Sequence, residues 1–338
     1  MANSENNWLN YNRVLASFYG ILALVAISTY VLAFVLALFM FFSPEGVSFA
    51  YQSYKTIRIN VLYFWTASFQ IETRAWQLFI VLNIIFALSF WSAFFSNNKF
   101  CAVIKDLFVR GDLNEVRRNF LILMPGASSA MLLITTALNV LGERAGAGVG
   151  GPSFSDPFSE IFTLSYAVIS EEIGFRLVPI LVPIAIYLLF KTRNSIRGMP
   201  RRVKIFMTLA AVLKPESYRR RIGSGADHTL TVLKTLLIVA SSIMFSYAHI
   251  LFGSWGWGKV PSTFIAGLVI GYFSVRYGFD SAILLHWFFN YYWSALSSEI
   301  ILGASLINEI VYIVTVYLGL FTVIYFVFSY LERCRTLN

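Results

Sequence analysis

Charge is scarce in this chain. Asp, Glu, Lys and Arg make up 13% of its 338 residues, about half of the roughly 25% carried by a soluble domain. Cysteine is scarcer still. Cys101 and Cys334 are the two, they form no C-x-x-C, and both fall in segments read as cytosolic, so free thiols are expected rather than a disulfide. There are three histidines and no H-E-x-x-H, which removes the commonest helix-borne zinc motif. Internal repeats and low-complexity tracts are absent. The first apolar run is too long for a signal-peptide core and lacks an obvious small-residue cleavage site, so it reads as a retained span.

What the chain has instead is apolar length. Hydrophobic residues make up 58% and the mean hydropathy is +0.69. The fold expected is all-α, a polytopic integral membrane protein of about eight transmembrane helices. The apolar segments fall near 14–42, 74–96, 119–142, 158–190, 230–252, 260–277, 279–298 and 304–331, each near the roughly 20 residues a bilayer requires. The fourth is too long for one straight crossing, and Pro179 and Pro183 are expected to kink or divide it. Region 43–73 is aromatic and moderately polar, and reads as an interfacial or re-entrant helix. Gly146 to Gly151 reads as a flexible external loop.

The basic excess, 26 Lys and Arg against 17 Asp and Glu, is read as a signal of orientation and of contact with anionic lipid, not of nucleic acid. Segments 96–118, 191–229 and 332–338 hold 5, 10 and 2 Lys and Arg; with Arg13 and Arg276 that side carries 19. The opposite loops hold five: Lys55, Arg58, Arg74, Arg144 and Lys259. The richer side belongs in the cytosol, which puts both termini there. In loop 191–229, Val203, Phe206, Met207, Ala210 and Leu213 share a helical face behind Arg201, Arg202 and Lys204, as in an amphipathic helix on anionic headgroups. A plain basic orientation signal explains the same charges. Arg219, Arg220 and Arg221 read as solvated charge.

Three charges nevertheless sit inside the fourth apolar span, in Ser170-Glu171-Glu172-Ile173-Gly174-Phe175-Arg176. Even lenient scales charge a few kcal/mol for each such residue at the bilayer centre, so the cluster demands a reason. Residues four apart share a helical face, which sets Glu172 beside Arg176; a pair at that spacing is most often structural. Glu171, turned about 100° away, is left over, and a carboxylate left over in an apolar place is raw material for proton transfer.

Two of the histidines also lie inside spans. His249 ends Phe245-Ser246-Tyr247-Ala248-His249, where Phe245 and His249 are four apart. His286 opens His286-Trp287-Phe288-Phe289-Asn290, where His286 and Asn290 are four apart. His228 sits in a polar loop and is incidental. At about 1.5 Å rise per residue, all the intramembrane polar residues fall within roughly 12 Å of the midplane. A lone intramembrane histidine or asparagine more often packs or joins helices than catalyses. The set of Glu171, His249, His286 and Asn290 weakens that reading, because it uses both intramembrane histidines at helical spacing with partners.

E-E-x-x-x-R, then F-x-x-x-H, then H-x-x-x-N, on three membrane segments in that order, resembles the CAAX protease and bacteriocin-processing family, which includes the Ras-converting type of prenyl endopeptidase. The run Gly267-Leu268-Val269-Ile270-Gly271 followed by Arg276-Tyr277-Gly278 resembles the stretch before the third motif in that family. Each motif alone is weak; the three in order are strong. The resemblance covers about 160–300 and divides the chain into helices of no recognised family over 1–150, a protease core over 155–300 with the basic loop 191–229, and a last helix and tail over 301–338. That loop is a departure from the family pattern and bears on substrate access.

The resemblance implies a glutamate-dependent intramembrane endopeptidase acting on membrane-associated or lipidated peptides. Glu171 and His249 would activate a water, His286 and Asn290 would stabilise the oxyanion, and Glu172, Arg176 and Phe245 would support them. No cofactor is expected. Zinc is the mechanistic rival, since two histidines and a glutamate can hold it with one position open, and the origin of the ligands on three helices argues against it. A non-proteolytic immunity or regulatory protein on the same fold is a second functional reading; it would be favoured by a missing catalytic residue, and none is missing. A proton-coupled transporter is a third, which inverted repeats with paired broken helices would support.

Overall fold

The computed structural model describes residues 2–95, 99–223, 225, 227–252, 255–297 and 306–336. The apolar runs form helices α1 (Ala2–Phe41), α3 (Ala75–Phe94), α5 (Phe120–Arg144), α11 (His228–Phe252), α12 (Val260–Tyr277) and α15 (Leu306–Thr336). A compound helix spans 157–191 as α6 (Pro157–Glu172), a π-helical segment Ile173–Leu181, and α7 (Val182–Lys191). Among the described residues, seven helices are long and apolar enough to cross a membrane. The segment expected as the seventh span, 279–298, is α13 (Phe279–Trp287), a π turn Phe288–Tyr292 and α14 (Trp293–Ser297).

That segment is the hub. Trp287, Phe288, Tyr291 and Tyr292 are each at most 1% exposed. Trp287 stacks on Phe34, and Tyr292 meets Tyr30 edge-on at 5.0 Å. The two tyrosine hydroxyls are satisfied: Tyr291 Oη donates to Asn83 Oδ1 (2.6 Å), and Tyr292 Oη bonds Thr29 Oγ1 (2.7 Å). α1 approaches through a stripe of small residues, Ala16, Ala23, Ala26, Ala33 and Ala37, all buried; such stripes let membrane helices pack closely.

Region 43–73 is not the expected interfacial helix. After a single helical turn, α2 (Val47–Ala50), it forms an antiparallel hairpin of β1 (Ser53–Leu62) and β2 (Trp65–Arg74). Tyr54, Thr56, Ile57 and Ile59 in one arm and Trp65, Thr66, Phe69 and Ile71 in the other fit a pleated surface better than a helix. The tip is the two-residue turn Tyr63-Phe64, in which Tyr63 takes a φ of 50°.

The fourth span is continuous, and its break is the π segment containing Pro179 rather than a split. Wide turns of this kind absorb a proline that an α-helix cannot hydrogen-bond. The loop at Gly146 to Gly151 is tied down, contrary to expectation. Gly256 N–H donates to Val149 O (2.8 Å) and Gly258 N–H to Gly148 O (3.2 Å). A Cβ on Gly256 would lie 2.2 Å from Gly148 O, so only glycine permits the approach.

The basic loop is helical. α9 (Arg201–Leu213) docks on α7 through Met207 and Ala211, both buried, and leaves Ile205, Phe206 and Leu209 exposed. In α10 (Pro215–Arg221) Arg220 and Arg221 are exposed as expected, Arg221 lying over the exposed Phe206, whereas Arg219 is half-buried and bonds Glu216 (3.0 Å). Lys191 and Tyr187 both donate to Asp227 Oδ2 and hold its carboxyl down at about 2. His228 is exposed. Cys101 is exposed and free; the Cys334 side chain lies outside the described residues.

Candidate active site

The site begins where α6 ends. Asp156 starts that helix, its Oδ1 accepting from Ser159 N (2.7 Å) with Pro157 in the first turn, the arrangement that fixes a helix start. Sixteen residues long, α6 delivers Glu171 and Glu172 to the mouth of the π segment.

Glu172 is fully buried. Its Oε1 lies 3.1 Å from Arg176 Nη1 and 2.8 Å from His286 Nδ1. Arg176 is 1% exposed, and its guanidinium lies 4.0 Å from the centroid of Phe245, a cation–π contact. Among the described residues, Glu172 Oε2 and Arg176 Nη1 and Nη2 have no hydrogen-bond partner. The Glu172–Arg176 contact is therefore an ion pair rather than an aligned hydrogen bond. The pairing expected from the spacing is present. The second partner of Glu172, His286, lies 114 positions away, and nothing in the sequence pattern signalled it.

His286 stands between the two carboxylates. Nδ1 faces Glu172, and Nε2 lies 3.7 Å from Glu171 Oε2 and 3.3 Å from Asn290 Nδ2. Because a carboxylate only accepts, Nδ1 carries the proton and Nε2 is the atom turned toward the site. Asn290 Nδ2 also donates to Leu164 O (3.3 Å). His249 is set by its own helix: Nδ1 donates to Phe245 O (2.9 Å), and the ring meets Phe245 edge-on at 4.7 Å. The carbonyl fixes the tautomer, so His249 Nε2 is a lone-pair acceptor. Glu171 is the most accessible of the charged group, with 27% of its side chain exposed.

His249, His286, Asn290 and Phe245 line one cavity of about 780 Å³, whose walls also include Asp156, Glu160, Trp255 and Lys259. Lys259 Nζ lies 4.2 Å from the Trp255 ring centroid. Trp255 and Lys259 went unremarked as site residues in the sequence because the loop that carries them has no helical period.

The hairpin is the other part that sequence reasoning missed. β1 lies along α6 and the π segment. Asn60 N–H donates to Ser170 Oγ (3.0 Å), Tyr63 N–H donates to Gly174 O (3.0 Å), and Tyr166 Oη donates to Arg58 O. These bonds occupy strand edge groups that would otherwise be bare at membrane depth. Gly174 has no side chain because Asn60 fills the space: a Cβ there would lie 2.6 Å from Asn60 Cβ. Gly174→Ala is therefore expected to push the hairpin off the glutamate helix and lower turnover at least about tenfold. Asn60→Gly in the same protein should restore much of it. Unchanged turnover in Gly174→Ala would show that the hairpin does not position the glutamates.

Residues 155–292 match the family model described as type II CAAX prenyl endopeptidase Rce1-like. That segment is similar to the Rce1-like family. It contains all three motifs, and with them Glu171, Glu172, Arg176, His249, His286 and Asn290. The Rce1-like family is one of multi-pass membrane endopeptidases of the CAAX type, acting on membrane-associated protein or peptide substrates. No curated protein and no solved structure matches the chain.

Proposed function

We propose that the chain is a metal-independent intramembrane endopeptidase in which Glu171 is the general base. The observation that carries this reading is His286, held by Glu172 on one nitrogen and facing Glu171 and Asn290 with the other, at the wall of a cavity large enough for a peptide. A water between Glu171 and His249 Nε2 gives a proton to Glu171 as its oxygen adds to the scissile carbonyl. The oxyanion that forms is met by Asn290 Nδ2–H and by the doubly protonated form of His286, whose Nδ1–H stays on Glu172 while Nε2–H turns to the oxyanion, donors placed before the charge develops. Glu171 then returns its proton to the leaving amine, and the C–N bond breaks. Glu172 and Arg176 act through His286 and through the pose of the helix.

The donor set supports metal-independent chemistry. Both Nδ1 atoms are committed, His249 to Phe245 O and His286 to Glu172, an orientation zinc-bound histidines share, so the support comes from the number of ligands. Among the described residues, no three His, Cys, Asp or Glu side chains form a metal-binding group, and a catalytic zinc takes three. Detergent-purified protein dialysed against a strong chelator is expected to keep full activity with negligible metal by elemental analysis. Zinc at one per chain that tracks activity on removal and restoration would make His249 and His286 ligands and end the oxyanion role of His286.

The substrate is a membrane-associated peptide. α9 supports docking of the basic loop on anionic headgroups. Arg201, Arg202 and Lys204 stand beside exposed Ile205, Phe206 and Leu209, the composition of an interfacial helix.

A further inference from the structure

The basic segments gather at one end of the molecule. Arg13 Nε donates to Phe108 O (3.3 Å), joining the start of α1 to helix α4 (Phe100–Arg110). Tyr277 Oη donates to Arg117 O (3.0 Å), and Lys214 Nζ pairs with Asp280 Oδ2 (2.8 Å). Segments 99–118 and 191–223, the Gly278 turn and the start of α1 therefore share one face. The opposite face is built from the loop after α5 and the loop before α12, sewn together by the Gly256 and Gly258 amides and by the bridge of Gly150 to Trp255.

The cavity belongs to that second face. Gly151, Pro152 and Ser155 line it and are exposed, so it reaches the surface there. Toward the basic end it is floored by buried groups: Phe245 at 4% and Ile270 at 2% exposure, with Arg176 and Glu172 beneath. Below them, Gly271 packs against Ile238 and Ile180. Lys and Arg stay on the cytosolic side of a membrane protein, and the count here is 19 against five.

We infer that the cavity opens away from the cytosol, and that its substrate is a peptide presented from the non-cytosolic face, such as an exported or translocated segment held at that surface. The direction of opening follows from geometry and charge alone; the peptide half rests on the protease reading. A cytosolic lipidated C-terminus would meet the closed floor, and Arg176 and Glu172 stand between it and His249.

The test is reagent access in intact expressing cells. In a Cys101→Ser, Cys334→Ser background, three single cysteines are placed: Ser155→Cys at the mouth, Ala266→Cys on the cavity wall and Ser195→Cys in the basic loop. A small membrane-impermeant thiol reagent should modify the first two from outside and Ser195→Cys only after permeabilisation. Modification of Ser195→Cys from outside would invert the protein. Ala266→Cys reacting only after permeabilisation, or from neither side, would overturn the opening. A fusion peptide exported to the outer face is then compared with a copy kept in the cytosol. Cleavage of the exported copy alone is expected, and cleavage of the cytosolic copy alone would overturn the peptide half. Cleavage of neither, with labelling as expected, would retire the protease reading and leave the opening in place.

Discussion

Glu171→Gln is expected to abolish proteolysis while the protein still folds and inserts. Glutamine keeps the length and the Oε1 acceptor of the glutamate and cannot take a proton. Glu171 is partly exposed, and buried Arg176 keeps Glu172 as its partner, so the change leaves no buried charge unpaired. The loss should be at least the 100- to 10,000-fold typical of a general base, about 3–5 kcal/mol of barrier. It should fall on kcat rather than on KM, because the carboxylate acts on the water and not on the bound chain. Single-turnover cleavage, with thermal unfolding in detergent as the folding control, checks both halves. Equal turnover in variant and wild type would remove Glu171 as the base.

Arg176→Ala is expected to damage the fold as well as the activity. Removing the guanidinium strands Glu172, which is fully buried. Breaking a buried pair from one side typically costs about 3–5 kcal/mol. The lower end applies here, since His286 Nδ1 stays within 2.8 Å of Glu172 Oε1. The Phe245 face also loses its cation. Glu172→Gln combined with Arg176→Ala should unfold less readily than Arg176→Ala alone, because no net charge remains unpaired and a glutamine oxygen can still accept from His286. Denaturation midpoints of the three proteins decide it. A double variant no more stable than Arg176→Ala would mean that charge pairing is not what holds this helix.

The features legible in the sequence are those with a local period. Span positions followed from apolar length, the Glu172–Arg176 and Phe245–His249 neighbours from four-residue spacing, and the amphipathic α9 from its apolar face. The face of α9 that packs is narrower than its apolar pattern: Met207 and Ala211 are buried, while Val203 and Phe206 remain exposed. Contacts between distant positions had no such signal. Glu172 with His286 and Asn60 with Ser170 are set by how whole helices and strands pack, and no repeat marks them. The hairpin was hidden for a further reason. Its strands run alongside a membrane helix, a place where an isolated sheet edge is unfavourable, so an aromatic, half-polar stretch is first read as interfacial helix. Tyr166, Ser170 and Gly174, which hold the hairpin's edge, looked like ordinary helix positions.

The glutamates and the hairpin meet in the π segment. An α-helix continued through Ile173–Leu181 would carry Pro179 against its own backbone. The wider turn absorbs it and leaves Gly174 O free for Tyr63 N–H. π segments are frequent at functional sites, and here one directly follows the two carboxylates.

The measurement that tests the central claim most directly is cleavage of a panel of lipidated and unlipidated membrane peptides by wild type and by Glu171→Ala, in membranes suspended in ¹⁸O-labelled water and read by mass spectrometry. The account predicts that wild type splits at least one peptide into two fragments, with one labelled oxygen in the new carboxyl terminus, and that Glu171→Ala yields neither fragment. Equal cleavage by the variant, or no cleavage of any peptide by wild type, would contradict it.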